Sequence, residues 1–582
     1  MANYTAAIRA AVAGSDRIEC PVTLKMYGGD FQEPDWDAGD AVIRWYDAHP
    51  EANISAFYST PAAFDRDIRG CEKTEWKLFA PPNNDFFPYW TGFFTSQPVF
   101  KAIVRRASAI LHTVRVLHAL RTDAAPTFAD GGGADDGAAK LNVLWRALGV
   151  MQHHDAVTGT ALPFVYVDYR NRLANGIEEA QAVVSSLLGA ARLCVELAVC
   201  ANTNNTNTLA QPHCVEPGVP TCLGVPYDSS GTFDVTVLNP LAWDRDDVVA
   251  FGLDPQPSFS TVSVVDSGGH DIPAQLGSID GTATVSFRAV DVPALGSRTY
   301  RVKLSRATAA TARTGDGDQL QRLATSTAEV PGAMALENAH LRLDFDPHGR
   351  LVRVTNKDHL PPLVLAVSLG MRWYWASTAK DDGAYDFHTD AAHPGAHSFP
   401  GDVPGAGAAR FASGPVYDEI GLTVDKDSNI ELVTRLYHDN ATHHTRRGTS
   451  NASGSPHFEV FATIGPVSLV AGAGPGSTTA TGKDIILQIN TSIASAGRFY
   501  TDSSGMELMP RQRGRGTFNN SIDPTRPGDN YYPATAIGSI RDAAAQLVWI
   551  SDRSTGCGSS TDGSLEKMIY RYVTFGQYFL FA

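Results

Sequence analysis

The longest nearly apolar run of this 582-residue chain, Leu360 to Met371, stops well short of the roughly 20 residues that a bilayer-spanning helix needs. The expectation is no membrane insertion. Basic residues are scarce as well: 47 Lys and Arg stand against 62 Asp and Glu, for a formal charge of -15. With no concentrated basic patch to offset that balance, nucleic acid is excluded as a partner. The segment Met1 to Arg9 lacks the apolar stretch of a secretory signal. His-Glu-x-x-His, the helical signature of zinc peptidases, occurs nowhere, which sets that class aside.

Cysteine is sparse and unevenly placed. Of seven, Cys194, Cys200, Cys214 and Cys222 share one polar stretch with the glycosylation sequon at Asn204. Such crowding suits a small disulfide-closed excursion in an oxidising compartment. Further sequons at Asn53, Asn440, Asn451, Asn490 and Asn519 point the same way, toward the secretory pathway.

What is present is folded material, with 43% hydrophobic and 9% aromatic residues, too much chain for one core. Pro21 to Met26 and Asn53 to Tyr58 read as strands around a helical Ala38 to Tyr46, an α/β unit assigned to residues 1–80. A three-helix bundle is expected over 81–200. Its first helix, Gln97 to Leu120, carries the stripe Phe100, Ile103, Val104, Ala107, Ile110, Leu111, Val114 and Leu117, with Lys101, Arg105 and Arg106 off it. The second holds Leu141, Leu144, Trp145 and Leu148. The third runs from about Phe164 to Leu197, with Leu173, Ile177, Ala180, Val184 and Leu187 inward. Alternating runs and dense turn signals then predict β-sandwich domains over 201–330 and 331–582. Expected strands include Phe233 to Leu238, Ala283 to Val290, Thr299 to Leu304, Leu363 to Tyr374, Glu431 to Tyr437 and Gln546 to Ile550. Stretches 305–330 and 390–412 read as surface connections.

The chemistry concentrates in Gln152-His153-His154-Asp155-Ala156-Val157-Thr158-Gly159-Thr160, where a helical pattern breaks. Successive helix positions lie about 100° apart, so one imidazole points into a site and the other supports it. The same residues also suit helix-end histidines and a turn-capping aspartate. Asp30, after a predicted strand and two glycines, is placed either to meet a substrate or to cap a turn. Asp85 to Gly92 packs four aromatics beside an acid. That composition fits sugar stacking or a core-filling loop, and Trp373-Tyr374-Trp375 and Asp382 to Tyr385 share the ambiguity.

In their order these segments resemble the glycoside hydrolase family 38 α-mannosidases, particularly the lysosomal-type members. The matching stretches are Gly29 to Gln32, Asp85 to Tyr89, Trp90 to Ser96, Gln152 to Thr160, Gly383 to Tyr385, Phe499 to Asp502, Gly528 to Pro533, Asp552 to Ser554 and Asp562 to Glu566. The resemblance implies a (β/α-barrel-like) α/β domain, a three-helix bundle and β-sandwich domains, with a zinc-dependent site where the first two meet. It implies retaining hydrolysis of terminal α-mannose from N-glycan oligosaccharides in the lysosome, vacuole or secretory pathway. Carried over by motif, His154 is a zinc ligand, Asp30 the acid/base, Asp155 a contact to sugar hydroxyls and Tyr385 a wall of the pocket. Zinc (Zn2+) would orient and distort the sugar.

The departures shape the functional expectation. No His-x-Asp zinc motif and no nucleophilic aspartate match ahead of Asp30, and Leu162 to Val165 replaces a more polar family stretch. The 582 residues therefore read as the portion of such an enzyme that lacks most of the N-terminal catalytic domain, with negligible mannosidase activity alone. The alternative is a catalytically inactive carbohydrate-binding or scaffold protein.

Overall fold

A computed structural model describes residues 22–24, 36–70, 90–121, 136–188, 231–253, 261–279, 282–305, 334–376, 384–390, 393–402, 408–438, 445–446, 456–465, 467, 470–471, 480–516 and 522–571. The chain divides into two compact units, Met1–Asn84 and Asp85–Ala582.

In the first unit, helix α1 (Trp36–Ala48) contains the predicted Ala38 to Tyr46. His49 ends it, its ring stacked on Trp45 at 4.1 Å and its Nδ1 2.8 Å from the Trp45 carbonyl. Helix α2 (Pro61–Arg69) was not anticipated, although its start is legible: Thr60 caps it by accepting from Ala63 N, and Pro61 stands at the first helical position. The expected strand Asn53 to Tyr58 is not formed. Asn53 adopts φ 50°, and no partner strand exists among the described residues of this unit. Without a ladder, a β-prone run has no sink for its backbone groups. Of Pro21 to Met26, only 22–24 are described, and they are irregular.

The second unit opens with three helices, α3 (Pro98–Arg121), α4 (Asp136–Val150) and α5 (Pro163–Leu188). All eight residues of the α3 stripe are buried, together with Leu141, Leu144 and Leu148 of α4 and Leu173, Ile177, Ala180 and Val184 of α5. Trp145 instead turns outward under the Arg115 guanidinium, 4.8 Å from its ring. Lys101 departs from the expectation, being only 5% exposed. Gly176 lets α5 approach α4 closely, since a Cβ there would lie 2.7 Å from the Leu144 Cα.

Two four-stranded antiparallel sheets follow. One is ordered Thr232–Leu238, Ser297–Ser305, Thr261–Val265, Asp271–Ile272, and the other Thr445–Arg446, Arg245–Gly252, Thr282–Val292, Ala274–Ile279. They share a core of Phe251, Val264, Val285, Phe287, Tyr300 and Val302, the inward set of each alternating strand. Further on, a nine-stranded sheet centres on Leu363–Trp375 paired with Lys483–Thr491, Met371 opposite Leu487. Two more four-stranded sheets, built on Tyr417–Asp425 with Ile430–Tyr437 and on Arg498–Ser503 with Ile537–Arg541, close over the same core through Ile420, Phe499 and Ile540. None of these sheets closes into a barrel.

Within 390–412, read as surface connection, the strands His397–Ser398 and Ala408–Ser413 form instead, because each finds an edge to pair with. The four crowded cysteines and 306–333 lie outside the described residues. Cys557 is a buried free thiol.

Adding a methyl to a helix normally stabilises it by about 1 kcal/mol relative to glycine. Gly176→Ala should reverse that sign, destabilising by roughly 1–3 kcal/mol through overpacking on Leu144. A lower urea midpoint by circular dichroism would establish this, and a higher midpoint would refute it.

Candidate functional site

Helix α4 ends at Val150, and the chain turns through Met151 to Ala161 before Pro163 starts α5. Gly159 carries φ +84°, and a Cβ on it would come within 2.2 Å of the Ser96 carbonyl oxygen, so this turn packs directly on the start of the bundle. From α5, the buried Tyr166 hydroxyl lies 3.1 Å from the Asp155 carbonyl and 3.2 Å from that of Ala156. Burial pushes this phenol up, which keeps it a proton donor.

The turn gathers three chemical groups. His153 Nε2 lies 3.5 Å and His154 Nε2 3.8 Å from Asp155 Oδ2, with the rings 4.2 Å apart. Asp155 Oδ1 accepts from Thr160 Oγ1 at 2.7 Å and from the Tyr385 hydroxyl at 2.9 Å. Partial burial raises the Asp155 pKa. The bonds from Thr160 and Tyr385, with His154 and His153 nearby, outweigh burial and hold the carboxyl below its usual range. Trp90 stands beside Tyr385, ring centroids 5.5 Å apart, and both rings present a face to solvent.

Tyr385 is held from below. Its carbonyl accepts from Gly92 N and Phe93 N, at 2.9 and 3.1 Å. Ser96 Oγ donates to Ala384 O at 2.7 Å. Arg571, 1% exposed, donates to Asp386 O at 2.6 Å and Ser96 Oγ at 3.1 Å, with Asp484 as its ion partner at 3.5 Å. Thr91 Oγ1 donates to Gly528 O, and Gly556 N to Thr95 Oγ1, both at 2.8 Å, which fastens the Trp90-to-Ser96 turn to the β region.

His153, His154 and Asp155 offer two nitrogens and one oxygen within 4.8 Å of one another. Zinc takes such donors at about 2.0–2.2 Å in a tetrahedron, so the donor types suit it, and the three atoms would have to draw closer together to share one ion. The fold thus brings together His154, Asp155 and Tyr385, three of the four residues singled out from the sequence. Asp30, Asp85 to Tyr89 and Asp382 to Gly383 lie outside the described residues. Trp373 and Tyr374 are buried, which settles them as core. Sequence reasoning missed the structural parts played by Lys101, Tyr166, Ser96 and Arg571. The short spacing from Trp90-Thr91-Gly92 to Lys101 is the one signal that places that lysine near the site.

Comparisons with known proteins agree with this layout. The Alpha mannosidase middle domain profile matches residues 88–190, and that of the Glycosyl hydrolases family 38 C-terminal domain matches 336–579. The chain is 30% identical to the lysosomal alpha-mannosidase of Felis catus, covering 97% of this chain and 51% of the relative. For the lysosomal alpha-mannosidases of Dictyostelium discoideum and Homo sapiens the identities are 28% and 29%, covering 91% and 94% of this chain and 50% of each relative. A crystal structure of an alpha-mannosidase from Enterococcus faecalis shares the fold, with a TM-score of 0.56 at 11% identity over 97% of this chain and 61% of that one.

These matches define a glycoside hydrolase scaffold. The chain carries the middle and C-terminal domains of the glycoside hydrolase family 38 α-mannosidases, and is similar in them to the lysosomal members. It spans about half the length of the curated relatives it matches.

Removing the Tyr385 hydroxyl takes away a hydrogen bond made to the charged form of Asp155. Tyr385→Phe should therefore raise the Asp155 pKa toward the ordinary aspartate range. Carboxyl-carbon NMR titration reads this directly, and an unchanged midpoint would remove the bond from the account.

Proposed function

We propose that the surface formed by His153, His154, Asp155, Tyr385 and Trp90 is the sugar-binding face of a zinc-dependent, retaining α-mannosidase acting on terminal α-mannose of N-glycan oligosaccharides. The observation that carries the reading is the Tyr385-to-Asp155 hydrogen bond, which joins two family motifs 230 residues apart at one point. His154 would hold the metal, with His153 and Asp155 beside it. When bound, zinc would supply a Lewis-acid grip on sugar hydroxyls. Asp155, kept ionised, accepts hydroxyl protons in hydrogen bonds, and the Trp90 and Tyr385 rings pack on apolar sugar faces. Asp30 is proposed as the acid/base of the double displacement. A lysosomal or secretory location, with the exposed Asn53 as a glycosylation acceptor, belongs to the same proposal.

The second reading is binding without turnover, and both readings give Asp155 one part. Committed to Thr160 and Tyr385 and held below its usual pKa, it serves as a hydrogen-bond acceptor and leaves the general-acid role to Asp30.

The 582 residues, purified as such, should bind methyl α-mannoside in a zinc-dependent way and leave a chromogenic α-mannoside unhydrolysed. His154→Ala should weaken zinc binding by about tenfold or more, since loss of even a ligand's supporting partner costs on the order of 10–100-fold. Calorimetry with and without a chelator tests the first part, and absence of sugar binding would sink the proposed function. Turnover that disappears in His154→Ala would overturn the binding-only account and show the residues sufficient for catalysis.

A further inference from the structure

Lys101 lies in the first turn of α3, buried, with its ammonium turned away from water. It donates to the Ser96 carbonyl at 2.7 Å, to that of Val157 at 2.8 Å and to that of Thr158 at 3.0 Å. An ammonium has three protons, and here each has a carbonyl. Two of these carbonyls belong to the loop carrying His153, His154 and Asp155, and the third to the turn that follows Trp90. The contacts continue on both sides. Thr158 Oγ1 donates to the His154 carbonyl and lies 2.8 Å from Thr160 Oγ1, which reaches Asp155 Oδ1. Ser96 Oγ reaches Ala384 O, and the adjacent Tyr385 closes the circuit on the same Asp155 oxygen.

We propose that Lys101 is a positioning residue that locks the His153-His154-Asp155 loop and the Tyr385 segment into one geometry by joining the two at their common base. The part of this that concerns sugar and metal rests on the function proposed above; the locking itself does not. The alternatives for a buried lysine are weaker. An ammonium that served only packing would not need every proton matched by a carbonyl from two separate segments, and methionine would fill the space without the desolvation penalty.

A consequence is sensitivity to pH. Burial lowers the Lys101 pKa to about 7, and Arg571, the charged side chain that bears on it, adds to the effect. Below that value the ammonium satisfies three carbonyls. Above it, the amine keeps two N–H donors, and one buried carbonyl faces a lone pair. The depressed pKa already contains that lost bond, and it fixes the sign for local opening and global unfolding alike. Between about 7 and the ordinary lysine range the unfolded chain, or a loop opened so that water reaches Lys101, binds the extra proton, so both overall stability and closure of the two segments rise with pH. A pH step seen in the local opening of these two segments, and lost with Lys101, separates a positioning role from a general structural one.

The test is amide hydrogen exchange on the full 582-residue chain, corrected for intrinsic rates, across the Gly92-to-Ser96 turn and the Asp155-to-Ala161 loop. In the parent chain, protection of both segments should rise by about tenfold between pH 6 and pH 8, the effect of the proton that opening must take up. Lys101→Met should lower protection of both at either pH and abolish the step, whatever its urea midpoint. Zinc affinity at pH 7 should weaken by about tenfold in Lys101→Met and recover at least in part in Lys101→Arg, which keeps charge and donors. Protection unchanged in Lys101→Met overturns the proposal. If that variant does not fold, absence of the pH step in the parent chain overturns it. Protection that depends on Lys101 in a chain binding neither zinc nor methyl α-mannoside upholds the lock and sinks the functional reading instead.

Discussion

The buried ammonium of Lys101 answers a problem set by the fold. A helix that ends inside a packed unit leaves its following turns with carbonyls pointing where water does not reach, and each such group costs about 1–3 kcal/mol if unpaired. The loop after α4 meets that requirement by sharing one cation with the turn before α3. Trp90, His153, His154, Asp155 and Tyr385 stand on these two segments or on the connection they support. Their geometry is therefore specified as one object, a circuit of hydrogen bonds that returns to Asp155.

Beneath the circuit lies a second layer of buried polarity in the large β region. Glu566, fully buried, accepts from Tyr374 and Tyr531 at 2.9 and 2.7 Å and from Gln488 at 3.2 Å, while Arg571 pairs with Asp484 and reaches up to Ser96 and Asp386. Networks of this kind contribute little net stability compared with apolar packing, and their value lies in uniqueness of arrangement when all members are satisfied. Here they link the nine-stranded sheet to the turn bearing Trp90. Helical and β parts of the second unit are coupled at the site, so the bundle is a component of the site's geometry and not a separate module.

The two β regions are joined with similar care. Gln275, buried, accepts from Val416 N and Tyr417 N at 3.1 Å and donates to Tyr417 O at 3.2 Å, so one side chain continues the backbone pairing across the junction. Thr445–Arg446 crosses to extend the sheet of Arg245–Gly252. These contacts fix the first sandwich against the second, and they explain why a chain of several cores forms one body from Asp85 onward.

The sequence by itself determined the bundle and most strands, because periodicity of apolar residues reports directly which face is buried. The α3 stripe was legible residue for residue, while His154, Asp155 and Tyr385 were singled out by the resemblance and stand close together in the fold. Local pattern failed where a partner decides. Asn53 to Tyr58 has strand-like residues but no ladder to join, and Ala408–Ser413 became a strand because an edge was available. Trp373 and Tyr374 looked as much like a sugar platform as a core until the sheet buried them. Lys101 was the least legible of all. A lysine off an apolar stripe reads as solvated, and only the folded chain brings Ser96 and Val157 together around it. Periodicity records the average environment of a face. The neutralisation of one buried charge depends on atoms distant in sequence, and only tertiary structure supplies them.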